Sequence, residues 1–130
     1  MKKTMLFLFA LFMTAGAFAE NPGGTKIEVY YFHFTRRCTT CNNVEKVSKE
    51  AVEKQYPDKV KAGEITFQSI NLDEKEGEAV GAKLKVEGQS LLIVSGSQRA
   101  DLTDKAFLYA NNSPEKLKAE IKKAIDKMLK

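Results

Sequence analysis

Hydrophobic and polar positions follow two different periods along the chain, and the changes of period predict its elements. Residues 26–34 are almost continuously apolar and aromatic, which is typical of a strand covered on both faces. From Cys38 the apolar positions recur about every 3.6 residues, so we predict a helix over 38–56 that ends before Pro57. The chain thus contains a strand that leads directly into a helix.

The middle of the chain predicts a second strand and a second helix. Residues 65–72 have no cleanly polar face, so we expect another interior strand. Asp73, with Glu76 three positions later, has the pattern of a capping box at a helix start. Gly77 and Gly81 each cost about 1 kcal/mol in a helix interior. The second helix should therefore be short, loose or broken.

The C-terminal third predicts two further strands and a final helix. Residues 91–94 form an apolar run that is too short for a helix, and after a reversal at 95–97 we interpret 99–109 as one strand interrupted at 103–105. Residues 113–114, Ser followed by Pro, are a typical helix start. The buried stripe of that helix is predicted to contain Leu117, Ile121, Ala124, Ile125 and Met128.

The N-terminal residues have the composition of an export signal. Two lysines precede an apolar run over 4–12, and residues 17–19, Ala-Phe-Ala, supply the small-x-small pattern of a cleavage site. We therefore expect a cleaved signal peptide at 1–19, a flexible leader at 20–25 and one folded domain at 26–130. The alternative is an uncleaved N-terminal anchor. Export predicts a periplasmic or secreted protein.

Charge and hydropathy exclude two classes of partner for the mature chain. The formal net charge is +4, and loss of Lys2 and Lys3 with the signal lowers it by two. The remaining lysines alternate with acidic residues along helices, so nucleic acid is not an expected partner. No later apolar run reaches the roughly 20 residues that a membrane span needs. We expect a monomer.

Cys38 and Cys41, the two cysteines of the chain, carry the candidate chemistry. Unpaired backbone N–H groups and the helix dipole favour a thiolate at a helix N-terminus, and Arg36 and Arg37 add positive charge just upstream. Cys38 is therefore the predicted nucleophile, and the more buried Cys41 the thiol that resolves a mixed disulfide. A disulfide between them would restrain the unfolded chain little, so we assign it a chemical role.

The order of elements, βαβ followed by ββα, resembles the minimal thioredoxin fold. The most specific matches are the strand that runs into Cys38-Thr39-Thr40-Cys41, residues 70–73 and residues 86–94. The chain is similar to small exported thioredoxin-like proteins of bacteria. This resemblance implies an α/β fold with a central mixed four-stranded sheet and helices on both faces. It also implies a thiol-disulfide oxidoreductase without cofactor that acts on protein thiols or disulfides with an unidentified redox partner.

The predicted substrate loop departs from the thioredoxin pattern. Ser90 stands where thioredoxins carry a cis-proline, and Gln89 precedes it. A cis bond before a residue other than proline costs about 2.5–4 kcal/mol, so we expect the Gln89–Ser90 bond to be trans. Arg37 replaces an aromatic residue before the first cysteine and predicts a cationic rim. By this resemblance, Arg37, Gln89 and Ser90 are the expected substrate-binding residues.

The internal ion pair of thioredoxins is also missing, since Phe32 and Ser69 replace its aspartate and lysine. His33 follows Phe32 on an alternating strand, so we expect it to face away from the cysteines. We interpret its ring as one satisfied by hydrogen bonds, the alternative being proton transfer or metal binding.

Two other functions are compatible with this sequence. The cysteine pair could hold a metal or an iron–sulfur cluster, with further ligands from another subunit or a small thiol, since the chain has too few cysteines and histidines for a closed zinc site. By the resemblance, loss of the cis-proline leaves the pair open to metal. Alternatively, the disulfide stiffens a non-catalytic protein-binding module. The oxidoreductase hypothesis, which assigns no metal ligand, is the leading one.

Overall fold

A computed structural model describes residues 26–130, and the predicted signal peptide (1–19) and leader (20–25) lie outside the described residues. The strands are β1 (Ile27–His33), β2 (Ile65–Asn71), β3 (Ser90–Ser95) and β4 (Gln98–Asp101). The helices are α1 (Thr39–Gln55), α2 (Pro57–Lys61), α3 (Lys75–Lys83), α4 (Thr103–Tyr109) and α5 (Pro114–Leu129). Across this part of the chain, no helix combines the length and the apolar character that crossing a membrane requires.

The four strands form one mixed sheet in the order β2-β1-β3-β4. β1 runs parallel to β2 and antiparallel to β3, and β3 and β4 form an antiparallel hairpin. The predicted βαβ unit and the mixed four-stranded sheet are thus confirmed. The interior position predicted for β2 is wrong, because β2 lies at the edge of the described sheet. Its mixed pattern arises because Phe67 and Ile70 pack on opposite faces, and alternation reports faces, not edges.

The sheet buries an apolar cluster on each face. The larger cluster joins Tyr31 to residues of α1, α4 and α5, and the smaller one joins Phe32 to apolar residues of α3 and the segment after it. The predicted stripe of α5 belongs to the larger cluster, with Leu117, Ile121 and Ile125 fully buried. Helices therefore cover both faces, as predicted, and the consecutive aromatic residues of β1 point to opposite sides.

The segment predicted as a single interrupted strand is wrong beyond Asp101. β4 ends there, and the carboxylate of Asp101 accepts hydrogen bonds from the backbone N–H of Thr103 at 3.0 Å and from its hydroxyl at 2.5 Å. This bonding starts a helix, α4, in place of a second strand. Buried positions then recur every four residues, which is a helical spacing: Leu102, Ala106 and Ala110.

Two glycines bring α3 close to the end of β2. A Cβ atom at Gly77 would lie 1.8 Å from the carbonyl oxygen of Asn71, and one at Gly81 would lie 2.7 Å from Cδ2 of Leu72. The helix is continuous through both glycines, which are buried. Of the predicted outcomes, a short, loose or broken helix, the structure shows a short one of nine residues that is not broken. The glycines are contact points between α3 and the sheet.

Candidate functional site

Cys38 and Cys41 form a disulfide at the start of α1, with their Cα atoms 5.1 Å apart. Cys38 is the N-cap residue, and its Sγ accepts a hydrogen bond from the backbone N–H of Cys41 at 3.1 Å. Cys38 is exposed, whereas Cys41 is only 2% exposed. A donor aimed at one sulfur stabilises negative charge on that sulfur alone. The two sulfurs thus occupy different chemical environments.

The loop before Cys38 is fixed to the end of β2. The backbone N–H of Thr35 donates to Oδ2 of Asp73 at 2.7 Å, and Nδ2 of Asn71 donates to the Thr35 hydroxyl at 3.0 Å. The predicted capping role of Asp73 is therefore wrong, since α3 is preceded by Glu74 and has no side-chain cap. Instead, the carboxylate of Asp73 holds the approach to the cysteines in place.

Arg37 is paired with an acid that the sequence does not point to. Its guanidinium forms an ion pair with Glu45 on α1, and a second guanidinium nitrogen lies 2.7 Å from Nε2 of His33. The carboxylate of Glu45 thus balances the charge that Arg37 brings to the predicted cationic rim. Arg36 remains exposed. The substrate-binding role of Arg37 stays a prediction.

His33 makes hydrogen bonds through both ring nitrogens, as its burial requires. Nε2 accepts from Arg37, and Nδ1 donates to the carbonyl oxygen of Phe34 at 3.0 Å. The interpretation of a satisfied ring is confirmed, but the predicted face is wrong. The His33 ring lies 5.8 Å from that of Tyr31, on the side of the sheet that α1 covers. Among residues 26–130, no group of three or more His, Cys, Asp or Glu side chains is placed to hold a metal ion.

Tyr31 lies on the same face of the sheet as His33, and its phenol stays protonated. Burial raises the pKa of its phenol to about 12, with Glu45 adding to the rise and Arg37 opposing it. Its hydroxyl oxygen is buried without a hydrogen-bond partner in the described structure. A phenol that remains neutral near physiological pH does not serve as a base there.

The loop before β3 brings a side-chain amide to the cysteines. Oε1 of Gln89 lies 3.2 Å from Sγ of Cys41. Ser90 is the first residue of β3, opposite Phe32, and its hydroxyl donates to the carbonyl oxygen of Gly88 at 2.9 Å. All peptide bonds of the described chain are trans, so the bond between Gln89 and Ser90 is trans as expected. The substrate-binding roles of both residues stay predictions.

Comparison with solved structures identifies the architecture. Thioredoxin O2 from Arabidopsis thaliana, in its oxidised state, aligns with a TM-score of 0.54 and 20% identity over 77% of this chain and 76% of its own. The germline-specific thioredoxin Deadhead from Drosophila melanogaster aligns with a TM-score of 0.50 and 19% identity over 78% and 84%. The chain has a thioredoxin-like fold. The sequence matches no protein-family model and none of the curated proteins compared with it.

Within this thioredoxin-like fold, two asparagines connect the cysteine turn to the C-terminal helices. Nδ2 of Asn111 donates to the hydroxyl of Thr40 at 2.8 Å, and Nδ2 of Asn43 donates to Oδ1 of Asn111 at 2.7 Å. Neither asparagine was a candidate from the sequence. Asn111 follows α4 and lies 71 residues from Thr40, a separation over which single-sequence patterns carry no signal.

Replacing Glu45 with Gln should increase the reactivity of Cys38. The change keeps the size of the side chain but leaves Arg37 uncompensated beside the cysteine, and a nearby positive charge favours the thiolate. We expect thiolate formation at Cys38 to shift to lower pH by about half a unit to one unit. By the usual conversion, this corresponds to a disulfide more oxidising by roughly 15–30 mV.

The pH dependence of Cys38 alkylation measures this effect. Glu53→Gln is the matched control, because Glu53 is an exposed acid on the same helix. Equal pH profiles for Glu45→Gln and wild type would refute the role of Glu45, and so would an equal shift in the control.

Proposed function

We propose that this protein is an exported thiol-disulfide oxidoreductase that exchanges disulfides with protein or small-thiol partners through Cys38 and Cys41. The observation that carries the proposal is the difference between the two sulfurs. Cys38 is exposed and receives a backbone N–H, while Cys41 is buried behind it. Disulfide exchange requires two different sulfurs, because one must be accessible to the partner and the other must resolve the mixed disulfide afterwards. The thioredoxin-like fold is compatible with the same chemistry.

Exchange proceeds in two steps through a mixed disulfide. The Cys38 thiolate attacks one sulfur of a partner disulfide, so that a bond forms between Cys38 and the partner and one partner thiolate leaves. Cys41, after losing its proton to solvent, attacks Sγ of Cys38 and releases the second partner thiolate. The partner is then reduced, and the Cys38–Cys41 disulfide is formed. The same steps in reverse oxidise a dithiol partner.

The surroundings of Cys38 support an extended partner segment as the substrate. The loop with Gln89 and Ser90 borders the cysteine pair on one side. The amides of Asn111 and Asn43 border the cysteine turn at Thr40. Side-chain amides both donate and accept hydrogen bonds, so such a rim binds backbone groups without demanding a particular charge. We propose that a monomer uses this rim in the periplasm or outside the cell, in agreement with the signal-like sequence at 1–19.

The decisive experiment is a redox titration and an insulin-reduction assay on residues 20–130. We expect a reversible two-electron couple and turnover in wild type. Replacing both cysteines with Ser should abolish turnover. Cys41→Ser should accumulate a mixed disulfide at Cys38, because the resolving thiol is missing. A reversible couple without turnover on any disulfide partner would favour the non-catalytic module, and stoichiometric metal in the purified protein would favour the metal-binding alternative.

A further inference from the structure

Gln89 is the side chain that the fold places against the buried sulfur of the pair. Its Oε1 lies 3.2 Å from Sγ of Cys41, which is 2% exposed. The backbone N–H of Cys41 is directed at Cys38 and gives Cys41 itself no help. Water therefore has little access to the Cys41 sulfur. In the described structure, the side-chain amide of Gln89 is the polar group that contacts this sulfur. The contact is present with the disulfide closed, and it places the amide within reach of the Cys41 sulfur once the pair is reduced.

A carboxamide suits both states of a thiol. Its oxygen accepts a hydrogen bond from a neutral S–H group, and its NH₂ group donates to a thiolate; rotating the amide plane by half a turn exchanges the two. An S–H group is a weak donor, so an unpaired thiol loses little. A buried thiolate without a donor pays a much larger desolvation cost. The amide of Gln89 therefore stabilises the thiolate of Cys41 more than the thiol.

We propose that Gln89 is a positioning residue for the resolving step: its carboxamide oxygen holds Cys41 as a thiol while Cys38 reacts, and its NH₂ group then turns to support the Cys41 thiolate. This inference rests on the proposed function. In the resolving step, the Cys41 proton passes to solvent, the Cys41 sulfur bonds to Sγ of Cys38, and the Cys38–partner bond breaks. The electron pair of that bond leaves with the partner thiolate. Gln89 exchanges no atoms or electrons.

The first test follows Cys41 alone and needs no redox partner. In the Cys38→Ser background, ultraviolet absorbance of the thiolate reports the ionisation of Cys41 as pH is raised. We expect Gln89→Leu to move the midpoint to higher pH by about one unit, the equivalent of losing one buried hydrogen bond. Gln98→Leu is the matched control, because Gln98 is an exposed glutamine on β4. It should leave the midpoint unchanged.

The second test measures the step itself. The mixed disulfide of Cys38 with an aromatic thiol that absorbs light on release should decay about tenfold more slowly in Gln89→Leu than in wild type. If the leucine variant folds poorly, Gln89→Met replaces it, since methionine keeps the length of the side chain but has no amide. We expect the same slower decay in Gln89→Met. An unchanged midpoint and an unchanged decay in a folded Gln89 variant would overturn the inference. A shifted midpoint in a protein without exchange activity would overturn only the proposed function.

Discussion

Alkylation of the reduced protein at neutral pH is expected to modify Cys38 at least about 100-fold faster than Cys41. Two independent factors act in the same direction. Cys38 is exposed and accepts the backbone N–H at the start of α1, which favours its reactive thiolate. Cys41 is only 2% exposed, and burial both disfavours its reactive thiolate and keeps the alkylating reagent away from its sulfur. The expected ratio of the two alkylation rates is the product of both factors.

Timed labelling with iodoacetamide, followed by peptide mass mapping, measures the two rates separately. The same measurement in denaturant is the control, since both cysteines are then solvated and should react at rates within a few-fold of each other. Equal rates in the folded protein would contradict the assignment of Cys38 as nucleophile. Faster labelling of Cys41 would reverse the roles of the two residues.

The second large effect concerns stability, and for Gly77→Ala two physical arguments predict opposite signs. Helix propensity alone predicts stabilisation by about 1 kcal/mol. Packing predicts the reverse, because the added Cβ would lie 1.8 Å from the backbone carbonyl oxygen of Asn71, which cannot move without distorting β2. Overpacking against backbone outweighs propensity, so we expect the free energy of unfolding to fall by about 3 kcal/mol or more.

Urea denaturation of both proteins measures this difference. Gly88→Ala provides the control, because a Cβ at Gly88 would meet no heavy atom of the described residues within 4 Å. That variant should stay within about 0.5 kcal/mol of wild type. A more stable Gly77→Ala protein would show that α3 can move away from the sheet at little cost.

The sequence predicts those parts of the fold in which local pattern and tertiary environment agree. The continuously apolar β1 and the apolar stripe of α5 are examples, because burial alone sets both patterns. The strand predicted beyond Asp101 is wrong for a local reason. Asp101 ends β4 by binding Thr103, and the short helix that follows shows too few buried positions for its period to be recognised. The packing role of the α3 glycines could not be predicted, because it depends on a close contact with the sheet that the sequence does not show.

The candidate site divides in the same way. The strand-to-helix junction predicts Cys38 at a helix N-terminus, where the structure has it. The resemblance to thioredoxins predicts Gln89 as a site residue, and its side chain lies against Cys41. The balancing charge of Glu45 and the hydrogen bonds of Asn111 could not be predicted. They depend on which residues meet across the folded chain, and no local spacing encodes that meeting.

The separations along the chain have a consequence for when this chemistry becomes available. The two cysteines are three residues apart, so their disulfide can already form in an unfolded chain. The backbone N–H that Cys38 accepts is equally local, but two side chains that contact the cysteine turn come from far away: Gln89 is 48 residues from Cys41, and Asn111 is 71 residues from Thr40. A nascent or unfolded chain thus carries two ordinary thiols of similar reactivity. The first turn of α1 then favours Cys38 as the attacking group, and docking of the C-terminal half brings Gln89 against Cys41, so native folding creates the asymmetry.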